Sequence, residues 1–426
     1  MLNSASIQTV NKARFSSRFV KPCYNNYCFA NLPSAITFLL TGTGQSALPF
    51  DALGKLPTRY DKVIFFFIDA FGWKFFERYA DRYPFLKTIV NEGVASKITS
   101  QFPSTTAAHV TCIHTGLDVG YSGVYEWHYY EPLVDEVITP LLFSYAGDKV
   151  TRDTLRHSAI SPFLFFPQQT FYRNLQVHNV QSHIFQYYSY ATSTYSDIVF
   201  RGAQVHPYRT LYEAFTQLTD TVLHDTHTPA YYFFYYDRID ATCHLYGPHA
   251  KQAEAAVDSF LTMADEFFLK TLQNKTTRTL LMMTADHGQA EVDPKTTFYL
   301  NRQIPGIDLY FQKNARGRPI VPAGSPRDMF LYVKEQHIDE VISLLQRYLA
   351  GKADIYRTRD LVDQQFFGAH PPSTQLLARL GNVVILPYQR ETVWWYENGR
   401  FDMHFRGHHG GLLADEMEIP LLILPL

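Results

Sequence analysis

Three strand-sized apolar runs in this chain each end in an aspartate, and no other feature restricts its fold as much. The run at 63–68 in KVIFFFIDAFGW precedes Asp69, and the run at 231–236 in AYYFFYYDRIDATCH leads to Asp237 and Asp240. The third, TLLMMTADHG, closes on Asp286 with His287 beside it. A run apolar on both faces belongs in the middle of a parallel sheet covered by helices on both sides. An acid just past the C-terminal end of such a strand lies where open α/β sheets place their sites. Helical spacing at 73–92, 207–224 and 250–273 fills the intervals, so the class is α/β with a mostly parallel central sheet. This reading gives an N-terminal arm at 1–60 with a short apolar element at 35–40. A catalytic core follows at 61–290, with an excursion at about 132–205. A smaller inserted cap occupies 291–400, with a helix at 338–349 and strands near 328–333, 383–386 and 392–396. The chain then returns to the core at 401–426.

The formal net charge of −2 over 426 residues implies no general attraction to a nucleic acid polymer or an anionic membrane. No apolar run approaches the length of a bilayer span. Four cysteines make neither a disulfide framework nor a thiolate metal site, so a reduced, cytoplasmic protein is expected. The aromatic share of 15% is high enough to supply rings for a ligand cleft or an interface, although the core alone could absorb it. Composition does not address the oligomeric state.

The stretch QFPSTTAAHVTCIHTG reads as a tight loop delivering Thr105 and Thr106 to a helix over 106–115, with Gly116 as its stop. A threonine there is ordinarily a cap, but a helix N-terminus also suits a phosphate, and a hydroxyl placed at it can serve as nucleophile or metal ligand. The acids and histidines elsewhere weigh toward chemistry. Asp69, Thr106, Asp240, His244, Asp286, His287 and His409 form a mixed carboxylate and imidazole set, which suits Zn²⁺ or Mn²⁺ better than Ca²⁺. Seven ligands suffice for two ions, and two adjacent ions can clamp the attacking and leaving oxygens of a phosphoryl displacement.

The segments IDAFG, FPSTTAAH, DRIDATCHLYGP, TADHG and GHHGG, in this order, resemble the alkaline phosphatase superfamily, and within it the type I phosphodiesterase/nucleotide pyrophosphatase branch. The resemblance implies a three-layer α/β/α sandwich and hydrolysis of phosphodiester or nucleotide pyrophosphate bonds through a phosphothreonine intermediate on Thr106. It also implies two divalent metal ions, zinc in the family. Asp69, Asp286, His287 and Thr106 would hold one, and Asp240, His244 and His409 the other. The partner expected is a small phosphorylated substrate such as a nucleotide or nucleotide sugar. Tyr235 matches a position where the branch places a ring near a nucleotide base. One departure stands out. The branch carries an asparagine that binds phosphoryl oxygen after the nucleophile helix, whereas this chain has Glu126 and His128 in that region and no asparagine. A phosphomonoesterase of the same superfamily is the nearest alternative. A non-catalytic module binding a phospho-ligand or a protein is the alternative of another class, and its signature, loss of ligands, is absent.

Overall fold

A computed structural model describes residues 1–149 and 152–426. A seven-stranded sheet lies at its centre, built from β1 (Lys62–Ile68), β2 (Val94–Thr99), β3 (Gln181–Tyr187), β4 (Gln204–Tyr208), β5 (Ala230–Tyr236), β6 (Thr279–Thr284) and β7 (Glu418–Pro425). The spatial order is β2-β7-β6-β1-β5-β3-β4. The pairings among β1, β3, β4, β5 and β6 are parallel, and β7 runs antiparallel between β2 and β6.

β1 is apolar throughout because both of its faces are covered. Phe66 meets Phe215, Phe260 and Phe268, carried by the helices Leu211–His224 and Lys251–Met263 and the π-helical turn Ala264–Leu269. Phe67, pointing the opposite way, packs on Phe29, while Phe233 of β5 meets His114 of the helix Thr106–Thr115. Helices thus line both sides, which is the three-layer α/β/α sandwich. Register sets the position of the site: Phe67 lies level with Tyr235 and Thr284, so Asp69, Asp237 and Asp286 emerge at one edge of the sheet.

The stretch read as an excursion, 132–205, needs correction in its second half. The segment around Tyr129–Glu131, Glu136–Thr139 and Ser144–Tyr145 forms a small separate sheet, but helix Phe171–Val177, β3 and β4 belong to the core. Polar residues Gln181, His183 and Gln186 interrupt β3, and β4 is an exposed edge strand, so neither carries the apolar run that marks β1. Pro207 lies in that edge strand, where a missing N–H is tolerated, and the helix expected from 207 starts instead at Leu211, behind a capping box of Thr210 and Glu213. In the arm, helix Ser4–Lys12 packs on β2 and helix Leu32–Thr41 covers β1. Among the described residues, no helix is long and apolar enough to cross a membrane.

The 291–400 region holds a three-stranded antiparallel sheet, with Val383–Pro387 between Met329–Leu331 and Ala353–Arg357, and the helix Ile338–Tyr348. A fully buried ion pair clamps it to the core. Arg327 Nε and Nη2 each donate to Glu416 at 3.0 Å, and the guanidinium also donates to the carbonyls of Tyr388, Glu391 and Pro387. Glu416 in turn accepts the N–H groups of Gly411 at 3.0 Å and Leu413 at 3.3 Å. Both charges are thereby satisfied, which makes their burial tolerable. Glu416→Ala leaves the Arg327 charge buried and unpaired, and denaturant unfolding is expected to show a loss of about 3–5 kcal/mol. A loss below about 1 kcal/mol, the size of a surface pair, would contradict the clamp.

Candidate active site

The helix Thr106–Thr115 begins at the expected residue and stops at Gly116 in the left-handed conformation. Thr105 occupies the cap position, so the Thr106 hydroxyl is not used as a cap; Thr106 Oγ1 lies 3.2 Å from His287 Nε2. The preceding loop is pinned to the GHHGG segment. Ser104 Oγ donates to the Gly411 carbonyl at 2.7 Å, the Ser104 N–H donates to the Gly410 carbonyl at 3.2 Å, and the Gly410 N–H donates to Ser104 Oγ at 3.2 Å. Gly410 has φ +124, and a Cβ there would stand 2.5 Å from Ser325 Oγ, so this loop admits only glycine at that position.

The structure brings the six acid and imidazole residues of the expected set together around Thr106. Ligand atoms of Asp240, His244 and His409 lie within 4.8 Å of one another, and so do those of Asp69, Asp240 and His287. Asp286 joins the second group through Oδ2, 3.2 Å from His287 Nε2. Asp240 therefore stands between the two groups rather than in one alone. His408 belongs to neither group.

Each of the three histidines is oriented the same way. Nδ1 of His244 lies 2.8 Å from the Gly407 carbonyl, that of His409 2.9 Å from the Ser104 carbonyl, and that of His287 2.9 Å from the Gly288 carbonyl. A carbonyl only accepts, so Nδ1 carries the proton and Nε2 is directed at the carboxylates, as in a metal-ligating imidazole. The carboxylates are half-satisfied. Asp69 Oδ2 accepts the Tyr235 hydroxyl at 2.5 Å, and Asp286 Oδ1 accepts the N–H groups of Ala70 and His287 at 3.2 and 3.0 Å. Asp69 Oδ1 and Asp286 Oδ2 are buried with no hydrogen-bond partner. Burial, with Asp286 and Asp240 nearby, pushes the Asp69 carboxyl well above its ordinary range, and burial likewise raises Asp240. Burial would raise Asp286 too, but the adjoining His287 imidazole outweighs it and brings that group to about 2. Orphaned carboxylate oxygens facing Nε2 atoms in a dry, electronegative pocket are the donor set of a divalent cation, so the residues present fit two such ions.

Two cavities flank Thr106 and share Thr106, Trp127 and Asp240 as walls. One, of about 350 Å³, runs past His244 and His409 toward Trp394 and Phe405. The other, of about 200 Å³, runs past Asp69 toward Tyr190, Tyr235 and Arg152. The Tyr235 ring lines the smaller one while its hydroxyl is committed to Asp69. His128 lines the larger one; burial lowers its imidazole to about 4, its Nδ1 lies 3.0 Å from Thr139 Oγ1, and its ring stacks on Trp394. Glu126 is fully buried beside Thr105 and Asp328, its Oε1 without a hydrogen-bond partner, and burial raises it to about 7.

Asp237, at the end of β5, accepts the Tyr190 hydroxyl at 2.8 Å. Gln289 takes the supporting role, donating to Asp240 Oδ1 at 2.6 Å; its place three residues past Asp286 is the only trace it leaves in the sequence. His109 and His114 are structural: His109 bridges the Thr105 carbonyl and Ser100 Oγ, and His114 pairs with the Tyr172 hydroxyl.

The family model for type I phosphodiesterase/nucleotide pyrophosphatase matches residues 63–412, which spans every one of these site residues. The chain belongs to the type I phosphodiesterase/nucleotide pyrophosphatase family. It is accordingly an enzyme, a phosphoric ester hydrolase acting on phosphodiester or nucleotide pyrophosphate bonds. Among solved structures, murine ectonucleotide pyrophosphatase/phosphodiesterase 5 is similar at 18% identity and a TM-score of 0.60, covering 84% of this chain and 87% of that one. The human counterpart is similar at 16% identity and a TM-score of 0.62, covering 85% and 87%. An inactive variant of the murine protein in complex with AMP aligns at 18% identity and a TM-score of 0.61, covering 85% and 87%. At such identities these likenesses speak for the fold. Among curated proteins, none is detectably similar in sequence.

A carboxyl whose pKa is about 7 in the folded chain but near 4.5 when exposed binds its proton more tightly in the native state. Stability from this group is therefore greatest below about pH 4.5 and falls as pH rises toward 7. In metal-free protein, Glu126→Gln is expected to raise stability at pH 8 by on the order of 3 kcal/mol and to leave it unchanged at pH 4. Urea unfolding at the two pH values reads this difference, and equal effects at both would refute it.

Proposed function

We propose that Thr106 is the nucleophile of a two-metal phosphodiesterase whose substrates include nucleotide esters. The observation that carries this reading is the placement of Thr106 Oγ1 at a helix N-terminus, 3.2 Å from His287 Nε2 and on the walls of both cavities that the ligand residues line. Asp69, Asp286, His287 and Thr106 would hold one ion and Asp240, His244 and His409 the other, with Asp240 close to both. When bound, the two ions, zinc or manganese by their donors, would supply the positive charge that a threonine hydroxyl needs to ionise and that an anionic ester needs to approach it.

The chain's own residues do the rest. Thr106 Oγ forms the bond to phosphorus as the bond to the departing alcohol breaks, and water later releases the phosphoryl group from Thr106. The N–H groups of the first helical turn lack intrahelical partners and, with the helix dipole, favour negative charge at this point. Backbone carbonyls hold each histidine in one tautomer, and the Tyr235 hydroxyl and Gln289 amide fix the two aspartates.

Two features favour a diester over a monoester. A cavity lies on each side of Thr106, one for each ester group. Above about pH 7, where burial no longer keeps Glu126 protonated, its charge repels the second charge of a monoester more than the single charge of a diester. The AMP complex of the murine relative supports a nucleotide as one part of the substrate. The four free cysteines support a reducing, cytoplasmic compartment as part of the same proposal.

With Zn²⁺ or Mn²⁺ supplied, the purified protein is expected to hydrolyse bis-p-nitrophenyl phosphate in preference to p-nitrophenyl phosphate and to lose activity to a chelator. Thr106→Ala is expected to abolish turnover and leave metal content nearly intact. Retained activity in that variant removes Thr106 from the chemistry, and preference for the monoester makes the enzyme a phosphatase.

A further inference from the structure

The larger cavity beside Thr106 has a chemistry of its own. Its walls beyond the ligand set carry a concentration of rings and a thioether: Trp127, His128, Trp394, Phe401, Met403 and Phe405. Trp127 and Phe405 are each 38% exposed at its mouth, while Trp394, Phe401 and Met403 are buried along it. Large rings left open to solvent beside a reacting centre are surface that a ligand can cover.

Its charges are as informative as its rings. Among the described residues, Arg400 is the one arginine or lysine on its walls, and all three guanidinium nitrogens are already engaged. Nη1 donates to Glu397 at 2.7 Å, Nε to the Gly147 carbonyl at 3.2 Å, and Nη2 to the Ala146 carbonyl at 3.0 Å. His128, also on the walls, is committed: its Nδ1 lies 3.0 Å from Thr139 Oγ1 and its ring stacks on Trp394. Two acids, Glu126 and Asp402, line the cavity, each with one buried oxygen lacking a hydrogen-bond partner. Beyond the ion-holding end at Asp240, His244 and His409, a polyphosphate entering here would give up its hydration, meet no uncommitted arginine or lysine among the described residues and face two carboxyl groups.

We propose that this cavity seats one ester group of the substrate, and that this group is an uncharged aromatic or apolar alcohol rather than a polyphosphate. The inference rests on the phosphodiesterase reading above and narrows it: of the two bond types the family cleaves, this chain is built for the diester of an apolar alcohol. The group stacks against Trp127 and Trp394, with Phe401 and Phe405 closing on its edges, and it gains from burial of apolar area and ring contact together.

Two substrates with leaving groups of comparable basicity and a common nucleotide portion test this: the p-nitrophenyl ester of thymidine 5′-monophosphate, which releases p-nitrophenolate, and thymidine triphosphate, which releases pyrophosphate. The metal-loaded enzyme is expected to favour the aryl ester in kcat/KM by about a hundredfold, the combined effect of ring stacking and the penalty on buried charge. Phe405→Ala and Trp127→Ala, both at exposed positions of the mouth, are expected to lower that ratio by about tenfold each, mainly through KM for the aryl ester. Binding of the same two compounds to Thr106→Ala should follow the same order, which reads the preference without turnover. Equal use of the two, or preference for the triphosphate, overturns the assignment while leaving the phosphodiesterase reading standing. Failure to hydrolyse either overturns both.

Discussion

Three carboxylates, Asp69, Asp240 and Asp286, are gathered at one edge of the sheet, Asp69 and Asp286 buried and Asp240 partly so, and much of the surrounding structure follows from that constraint. Buried anions this close are strongly unfavourable unless something offsets them. The protein supplies only part of the compensation. It binds one oxygen of Asp69 with the Tyr235 hydroxyl and one of Asp286 with two backbone N–H groups, and it leaves the other oxygen of each without a partner. The imidazoles opposite are fixed with Nε2 inward. A chain that meets this cost and leaves it half-compensated has built a site for cations.

Holding such a site requires segments far apart in sequence to meet with little tolerance. The β1, β5 and β6 ends are brought level by parallel register, which is why the apolar runs have the lengths they do. The loop before Thr106 and the segment bearing His409 are tied by Ser104, and Gly410 lets the second pass against Ser325 and Asp328 of the cap region. The Arg327 and Glu416 pair then locks the cap onto the same turn. The cap is thus part of the site's frame, and its rings, Trp394 among them, become walls of the larger cavity.

Much of this was legible in the sequence where one residue type announced one environment. The apolar runs of β1, β5 and β6 marked the sheet, and their terminal acids marked its active edge. The Thr106 helix was bounded correctly because a proline loop and Gly116 delimit it. Less was legible where a residue owes its role to a distant partner. β3 is buried yet carries Gln181, His183 and Gln186, so its place in the core could not be read from hydrophobicity. Gln289 as the support of Asp240, Arg327 as a buried cation and the closeness of Asp240 to both ligand groups depend on tertiary contacts between segments. Asp237 has the same position at the end of β5 as the ligand-bearing strand ends, and only the fold shows its carboxylate turned to Tyr190.

The central claim, that half-compensated carboxylates and inward imidazoles form a two-ion centre at Thr106, is tested most directly by anomalous diffraction from crystals grown with Zn²⁺, measured on either side of the zinc edge. The account predicts two peaks per chain. One should lie among Asp240, His244 and His409, and the other among Asp69, Asp286, His287 and Thr106. A single peak, or ions held by other residues such as His408 or Glu126, would contradict it.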